Sequence, residues 1–263
     1  MKTLFVAWQQ PDSGEWIPVA KLERKDDRYF FSYTRGVHRA KSFLPFSRMD
    51  RLDAVYESSS IFPLFANRLI SKSRPEYSDY LRWLGLKSAA DDTLSMLALT
   101  GGIRGTDSIE LFHPPTISEK NVYKVEFFAR SLSHLSKEAI AHIANLREGE
   151  RLFLMRDCQN RFDPLALAIR SDNPPVFVGF CPKYYAQDLG DLLAKSANEM
   201  EISVKCVNAD APLNMRLLCS ASAVAPVGFS PLDETTDFQP IAGTVPQGWQ
   251  QLSSSLATAL SRE

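Results

Sequence analysis

The chain begins with three apolar-rich segments separated by turn residues, a pattern that predicts an antiparallel β-meander. The predicted strands are residues 3–8, 16–21 and 29–33. The segments between them, PDSG and KDD, are rich in the residues that favour tight turns. Apolar positions at helical spacing follow and predict three short helices, at residues 61–70, 75–84 and 91–99, the last capped by Asp91 or Asp92.

From residue 106 onward the pattern changes to short apolar strands with two amphipathic helices among them. The predicted strands are residues 106–112, 122–128, 151–155, 165–169, 176–180, 201–207 and 215–219. The predicted helices are residues 136–146, capped by Ser136, and 184–193. Residues 227–263 are rich in Ser, Thr, Pro, Gly and Gln without apolar periodicity, which predicts an extended or disordered tail.

A stiff segment, His113-Pro114-Pro115, separates the two patterns, because prolines hold the backbone extended. We therefore place a domain border there. The predicted organisation is an α+β module over residues 1–115, a second module over residues 118–226, and the tail over residues 227–263.

The richest cluster of polar residues lies between two predicted strands of the second module, in the sequence RDCQNRFDP of residues 156–164. Asn and Asp at this spacing commonly close a turn through hydrogen bonds from backbone N–H groups to their side chains. The same residues also offer charge and hydrogen-bonding groups to a ligand. For Asp163, which precedes Pro164, the two interpretations are compatible, since a carboxylate that accepts backbone amides can also orient Arg156 or a terminal hydroxyl.

The pattern RDxxNxFDxxAxxI, followed by VGFxPK and an amphipathic helix, resembles the HIRAN family from about residue 123 to about residue 223. That resemblance implies an OB-like β-barrel with flanking helices, which recognises DNA and, in the best understood case, a single-stranded 3′ end. The residues implied to line the site are Arg156, Asn160, Phe162, Asp163 and Lys183. At the end of the first strand of this module, Phe128 or Phe127 could stack on a base, although an aromatic residue on a strand is more often core, and Arg130 lies close to them in sequence.

Residues 15–69 weakly resemble the first subdomain of HipA-type toxin kinases, through the RYFFSY strand and the FPLFANRL segment. In those kinases the subdomain is a small lobe that packs on the kinase body, and the catalytic residues lie elsewhere. This chain contains neither a Gly-rich strand-loop nor HRD-like or DFG-like triplets. The resemblance suggests an alternative function, in which the chain is a docking subunit of a toxin–antitoxin, kinase or defence complex, with its N-terminal module binding a protein partner and the barrel serving as a scaffold.

Charge limits the kind of nucleic acid that this chain is expected to bind. Residues 120–224 carry 13 basic and 12 acidic side chains. Affinity for long duplex DNA comes largely from neutralising many phosphates, so a nearly neutral module suits a strand end or a short single strand better. Residues 28–51 carry six basic side chains against the single acid Asp50, which fits either a solvated loop or a loop that contacts phosphates.

Composition adds that the chain is an ordinary globular protein, with 44% hydrophobic and 23% charged residues in a total of 263. No apolar run approaches the ~20 residues that cross a bilayer, and the N-terminus turns polar too soon for a signal peptide, so we expect a cytoplasmic protein without membrane contact. The four cysteines form no CxxC pair and the four histidines no HExxH motif. We therefore expect buried free thiols, no metal, no cofactor and no catalytic residue, in a non-enzymatic protein that binds DNA.

Overall fold

Two antiparallel β-sheets, one from each half of the chain, carry the fold. The structure is a computed structural model and describes residues 2–86, 93–232 and 236–242, without the side chains of residues 196 and 197. The first sheet has five strands in the order β4-β3-β2-β1-β5. These strands are β1 (Lys2–Gln9), β2 (Trp16–Lys25), β3 (Arg28–Tyr33), β4 (Val55–Ser58) and β5 (Ile109–Phe112).

The predicted meander is confirmed as β1 to β3, since Leu4 pairs with Leu22 and Leu22 with Phe31. Strand β4 was not predicted, because its four residues, VYES, have no apolar alternation of their own. The segment between β3 and β4 is more than a solvated loop. It contains a short 3₁₀-helix (Arg35–His38), and it buries Val37 and Met49 against the core of the first half.

Three short helices lie between β4 and β5, where the apolar spacing predicts them. They are α1 (Pro63–Ala66), α2 (Tyr77–Trp83) and α3 (Thr93–Thr100). The predicted caps of the third helix, at positions 91 and 92, lie outside the described residues. Helix α3 buries Leu94 and Leu97 against the first sheet and Met96 against Phe128 of the second half.

The second sheet has seven strands in the order β10-β9-β8-β11-β12-β7-β6. They are β6 (Thr116–Ile117), β7 (Val122–Phe128), β8 (Arg151–Arg156), β9 (Leu167–Ser171), β10 (Phe177–Phe180), β11 (Met200–Val207) and β12 (Leu217–Val224). The last strand runs five residues beyond the segment predicted at residues 215–219, because Ser and Ala alternate at its end and hide the apolar pattern. Mixed α/β structure with antiparallel sheets is confirmed.

The two ends of the second sheet approach each other at one point. Arg130, just after β7, and Phe180 of β10 exchange backbone hydrogen bonds of 2.8 and 3.0 Å in an isolated antiparallel bridge. Gly179 permits this approach: its φ is +135°, and a Cβ there would lie 2.8 Å from the Arg130 carbonyl oxygen. The strand ladders among the described residues do not close into a barrel, so the OB-like barrel stays a prediction.

Two helices cover the second sheet, α4 (Lys137–Asn145) and α5 (Lys183–Ser196). Ser136 caps α4 as predicted, since its side chain accepts a hydrogen bond of 3.2 Å from the N–H of Ala139. Helix α5 buries Tyr185, Leu189 and Leu192 in the core of the second half.

The two halves share apolar contacts rather than meeting only through a linker. Phe5 and Phe112 of the first sheet belong to the same buried cluster as Tyr185 of α5. The described part of the predicted tail adds to this contact, because the ring of Phe238 lies 4.9 Å from that of Phe5. Further along the tail, Ile241 donates a backbone hydrogen bond of 2.9 Å to Tyr33. Residues 236–242 of the tail thus lie against the first sheet.

None of the helices in the described ranges is both long and apolar enough to cross a membrane. All four cysteines are free thiols; Cys181 and Cys219 are buried as expected, and Cys206 is half-buried. The expectation was wrong for Cys158, which is exposed because it lies in the polar turn between β8 and β9.

Candidate nucleic-acid site

The polar turn between β8 and β9 is held by its own side chains. Asn160 Oδ1 accepts hydrogen bonds of 3.0 Å from the backbone N–H groups of both Phe162 and Asp163. Asp157 accepts from Gln159 N–H and from the Asn160 side chain, each at 3.2 Å. Asp163 Oδ1 accepts from Leu165 N–H at 2.9 Å. The turn-capping prediction is therefore confirmed for Asn160 and Asp163.

This network holds Phe162 away from the core. Phe162 is 88% exposed, whereas Phe177, the other exposed phenylalanine among the described residues, is 37% exposed. A ring exposed in the folded state contributes little burial to stability, and both of its faces remain available for contact with something else. Phe162 is therefore not a core residue, and its position is suited to stacking on a planar ligand.

A cavity of about 630 Å³ opens beside this turn. Five of the seven predicted site residues line it together: Arg130, Asn160, Phe162, Asp163 and Lys183. They come from three places in the sequence, namely the segment after β7, the polar turn, and the start of α5. The Arg130–Phe180 bridge brings these places together, because it ties the end of β7 to the strand that leads into α5.

Arg130 lies at the base of the cavity in an ion pair. Its Nη2 atom is 2.9 Å from Glu110 of β5 and 3.1 Å from the hydroxyl of Tyr184, to which it donates a hydrogen bond. The two charged side chains are only 20% and 15% exposed. The ion pair joins the two halves of the chain. Because Glu110 already compensates the charge of Arg130, this arginine is a weaker phosphate ligand than the sequence suggests.

Burial shapes the protonation of this group of three. It raises the pKa of the Glu110 carboxyl, while the Arg130 guanidinium and a hydrogen bond with Tyr184 oppose that rise. Burial also raises the pKa of Tyr184, so its hydroxyl stays protonated near neutral pH. Burial lowers the pKa of the Arg130 guanidinium, but charge interactions with Tyr184 and Glu110 outweigh this effect. The pKa of the guanidinium is therefore raised.

Lys183 is the second predicted site residue with a positive charge that lines the cavity. It is the first residue of α5, and its Nζ lies 3.5 Å from the carbonyl oxygen of Gly14, at the turn before β2. It forms no ion pair with any residue in the described ranges. Its charge is therefore available to a phosphate at the rim of the cavity.

Two predicted site residues lie elsewhere. Arg156 is exposed at the end of β8, but its guanidinium lies against Gly190 of α5 and does not line the cavity. Phe128 is 2% exposed and packs with Met96 and Leu218, so its ring is core and has no free face for a base. Neither side chain lines the cavity, and Phe127, the other aromatic residue considered for stacking, is 4% exposed and lies in the core as well.

Several residues that line the cavity were not predicted from the sequence as site residues. The aromatic ones are Trp16, Phe177, Phe180 and Tyr184, and Glu110 adds an acid. Phe177 and Phe180 could have been selected from their strand, whose FVGF sequence places aromatics on both sides of a glycine; their rings lie 5.0 Å apart. Trp16 and Glu110 belong to the first half, and no local signal in the sequence links them to the polar turn.

No cluster of three or more His, Cys, Asp or Glu side chains with the geometry of a metal site occurs within residues 2–86, 93–232 and 236–242. The acids of the cavity, Glu110 and Asp163, are each engaged, the first by Arg130 and the second by the backbone of the turn.

Comparisons with known proteins agree with the resemblance seen in the motif. Residues 122–224 match the family model of the HIRAN domain. A search of curated proteins found no match. Among solved structures, the chain is similar to a crystal structure of a protein from Lactobacillus plantarum, with 15% identity over 39% of this chain and 98% of that one and a TM-score of 0.29. A similarity of that size carries no conclusion about fold or function.

Proposed function

We propose that this chain is a non-enzymatic protein that binds single-stranded DNA or DNA strand ends through its HIRAN domain. HIRAN domains are generally DNA-binding domains, which gives the class of ligand. The finer assignment, to single strands and ends, rests on the cavity beside the polar turn. The observation that carries it is Phe162, an 88% exposed ring held at the cavity by two hydrogen bonds from its turn.

An exposed ring beside a cavity with other aromatic side chains suits an unpaired base. Bases stack on aromatic side chains with little dependence on sequence, and each such contact contributes about 1–3 kcal/mol. A volume of about 630 Å³ is typical of a site for a small ligand. In a duplex the bases are stacked on one another, and a ring such as Phe162 reaches a base face only at an end or where a strand is unpaired.

The charges around the cavity support the same ligand. Arg130 is compensated by Glu110, which leaves Lys183 as the cation at the rim that can meet a phosphate. Asn160 and Asp163 supply polar groups next to Phe162 for the sugar or the base edge. With so few phosphate contacts, affinity has to come mainly from stacking and hydrogen bonds.

Equilibrium binding to labelled oligonucleotides tests the proposal. A short single strand should bind more tightly than a blunt duplex of the same sequence, and its affinity should depend weakly on salt, with a slope on the order of one to three for a few contacts of about 0.7 each. Equal affinity for the two, or a steep slope, would contradict a stacking site. Failure of every oligonucleotide to bind would favour the docking function instead.

A second set of oligonucleotides separates ends from internal strand. Free 3′ hydroxyl, 3′-phosphorylated and circular single strands of equal length present the same bases and differ only at the terminus. Tighter binding of the free 3′ hydroxyl supports recognition of the end. Equal binding of all three assigns the cavity to strand interiors.

We also propose that the chain neither cuts nor phosphorylates nucleic acid. The support is chemical: Glu110 and Asp163, the two carboxylates of the cavity, are held by Arg130 and by the turn. Incubation with labelled single-stranded, duplex and forked DNA plus Mg²⁺ or Mn²⁺, and with labelled ATP, should leave the substrates unchanged. Cleavage or label transfer that stays with the protein through further purification would overturn this.

A further inference from the structure

A second cavity, of about 470 Å³, is lined by residues of both halves of the chain. It is basic. Its charged lining residues are all arginines, Arg68, Arg74 and Arg104, and neither Asp nor Glu lines it. Since all three arginines belong to the first half of the chain, neither the HIRAN motif nor its family model covers them.

The three arginines are not equivalent. Arg68 is buried and fully engaged, since it donates to the carbonyl oxygens of Leu64 and Gly102 and pairs with Asp107 at 2.6 Å. Arg74 and Arg104 are exposed, and neither forms an ion pair or a side-chain hydrogen bond with another residue of the described ranges. Arg68 therefore builds the wall, and two uncompensated guanidinium groups remain at the cavity.

A depression of about 420 Å³ joins this basic cavity to the aromatic one. It shares Arg130 and Ser131 with the aromatic cavity and Asn214 with the basic cavity. The backbone of Gly101 is close to the same path, because a Cβ there would lie 3.2 Å from both Arg130 Nη2 and Ile103 Cγ1. The three depressions therefore adjoin one another along the border between the halves, and together they are called the groove.

We propose that this groove carries a single strand of nucleic acid onward from the aromatic cavity, and that Arg74 and Arg104 bind its phosphates. The proposal rests on the proposed function, because it takes the strand's first contacts at Phe162 as given. Guanidinium groups bind phosphate oxygens through paired N–H donors, and two of them that form no ion pair with a described residue give the groove positive charge for a polyanion.

The polar residues between these charges fit the same ligand. Asn67 and Asn214 line the basic cavity, and their side-chain amides make no hydrogen bond to another described residue. An amide offers both donors and an acceptor, which suits sugars and base edges. An acidic peptide would also meet the arginines, but it would not use the aromatic cavity at the other end of the groove.

Length dependence of binding tests the proposal. Affinity should be measured for single strands from about 4 to about 16 nucleotides, the span of site sizes seen for a single binding module. For the unmodified chain, affinity should rise with length until the strand reaches the basic cavity, and the salt slope should rise with it. In the double variant Arg74→Ala, Arg104→Ala, this gain should disappear, while affinity for the shortest strand stays unchanged.

The salt slope gives a second readout. For the long strand, the slope should be smaller in the double variant by about 1.4, which is two contacts at about 0.7 each. The matched control is Arg35→Ala, Arg147→Ala, which removes two exposed arginines that do not line the groove. It has the same change in net charge and should keep the length dependence and the slope of the unmodified chain.

The outcomes are distinct from those of the proposed function. If short strands bind and Phe162 matters, but the Arg74, Arg104 variant behaves like its control, the groove proposal is overturned and the aromatic site stands. A loss that is equal for short and long strands also overturns it, since the arginines would then act on the first contacts. An acidic peptide provides a further test. If it competes with long strands but not with short ones, and if its own binding is lost in the Arg74→Ala, Arg104→Ala variant, the basic cavity is reassigned to a protein partner.

Discussion

The polar turn and the Arg130–Glu110 contact line the same cavity but are built in opposite ways. The turn satisfies its hydrogen bonds within the nine residues 157–165 and leaves Phe162 88% exposed. The contact joins residues 20 positions apart, on different sheets, and buries both charges. Polar side chains in the turn thus hold the ring of Phe162 in solvent, and polar side chains in the contact join the two halves.

Substitutions in the turn and in the ion pair should therefore have separable effects on binding and on stability. A change in the turn should alter binding first, because the exposed ring contributes little to the folded state. A change in the contact should alter stability first, because it leaves a buried charge without a partner. Substitutions that reverse this order would show that the comparison is wrong.

The largest effect is expected for Arg130→Leu, which leaves the Glu110 carboxylate buried and unpaired. It should lower the free energy of unfolding by about 3 kcal/mol, near the lower end of the range for buried pairs because both side chains keep some exposure. Denaturant unfolding measures it. Adding Glu110→Leu should restore most of the loss, and a double variant as unstable as the single one would show that the ion pair is not the cause.

The next effect is on binding. Phe162→Ala should weaken affinity for a short single strand by about 1–3 kcal/mol, because a stacking face is removed. Its free energy of unfolding should change by no more than about 0.5 kcal/mol, as for other surface substitutions. Leu44→Ala, at an 80% exposed residue outside the cavity, is the matched control and should change neither quantity. Retained affinity with lost stability would place Phe162 in the core after all.

Asn160→Ala should have an intermediate effect on both quantities. It removes the acceptor for two backbone N–H groups, which should cost about 1 kcal/mol of stability, as loss of a helix cap does. Binding should weaken as well, since the position of Phe162 is no longer fixed. Asn160→Asp keeps an oxygen for the two N–H groups but replaces the amide that donates to Asp157 with a second carboxylate, so it should restore only part of the stability. A variant less stable than Asn160→Ala would show that the hydrogen bonds to this oxygen contribute less than the contact with Asp157.

The smallest effect is expected at Lys183. Lys183→Ala should reduce affinity modestly and lower the salt slope by about 0.7, which corresponds to one phosphate contact on a single strand. Arg156→Ala removes the same charge from a side chain that lies against Gly190, outside the cavity, and should leave the slope unchanged. Equal effects of the two substitutions would mean that charge acts through the general field of the protein and not through contact.

Local patterns were enough to predict most elements of this chain. The strands that became β1, β2, β3, β7 and β8 follow from apolar runs bounded by turn residues, and helix α4 follows from its stripe and the Ser136 cap. The hydrogen bonds of the polar turn were equally predictable, because Asn160 and Asp163 bond to amides only two or three residues away. Interactions of this range depend on residues that are adjacent in sequence, and the sequence alone therefore determines them.

The composition of the cavity was decided by tertiary structure. Whether Phe128 is exposed depends on which side of β7 meets helix α3, and period-two alternation does not identify that side. Trp16 and Glu110 enter the cavity because the first sheet packs against α5, through contacts between residues such as Phe112 and Tyr184, whose rings stack 4.0 Å apart. Such contacts join residues far apart in the chain, and only the packing of the two halves fixes their geometry.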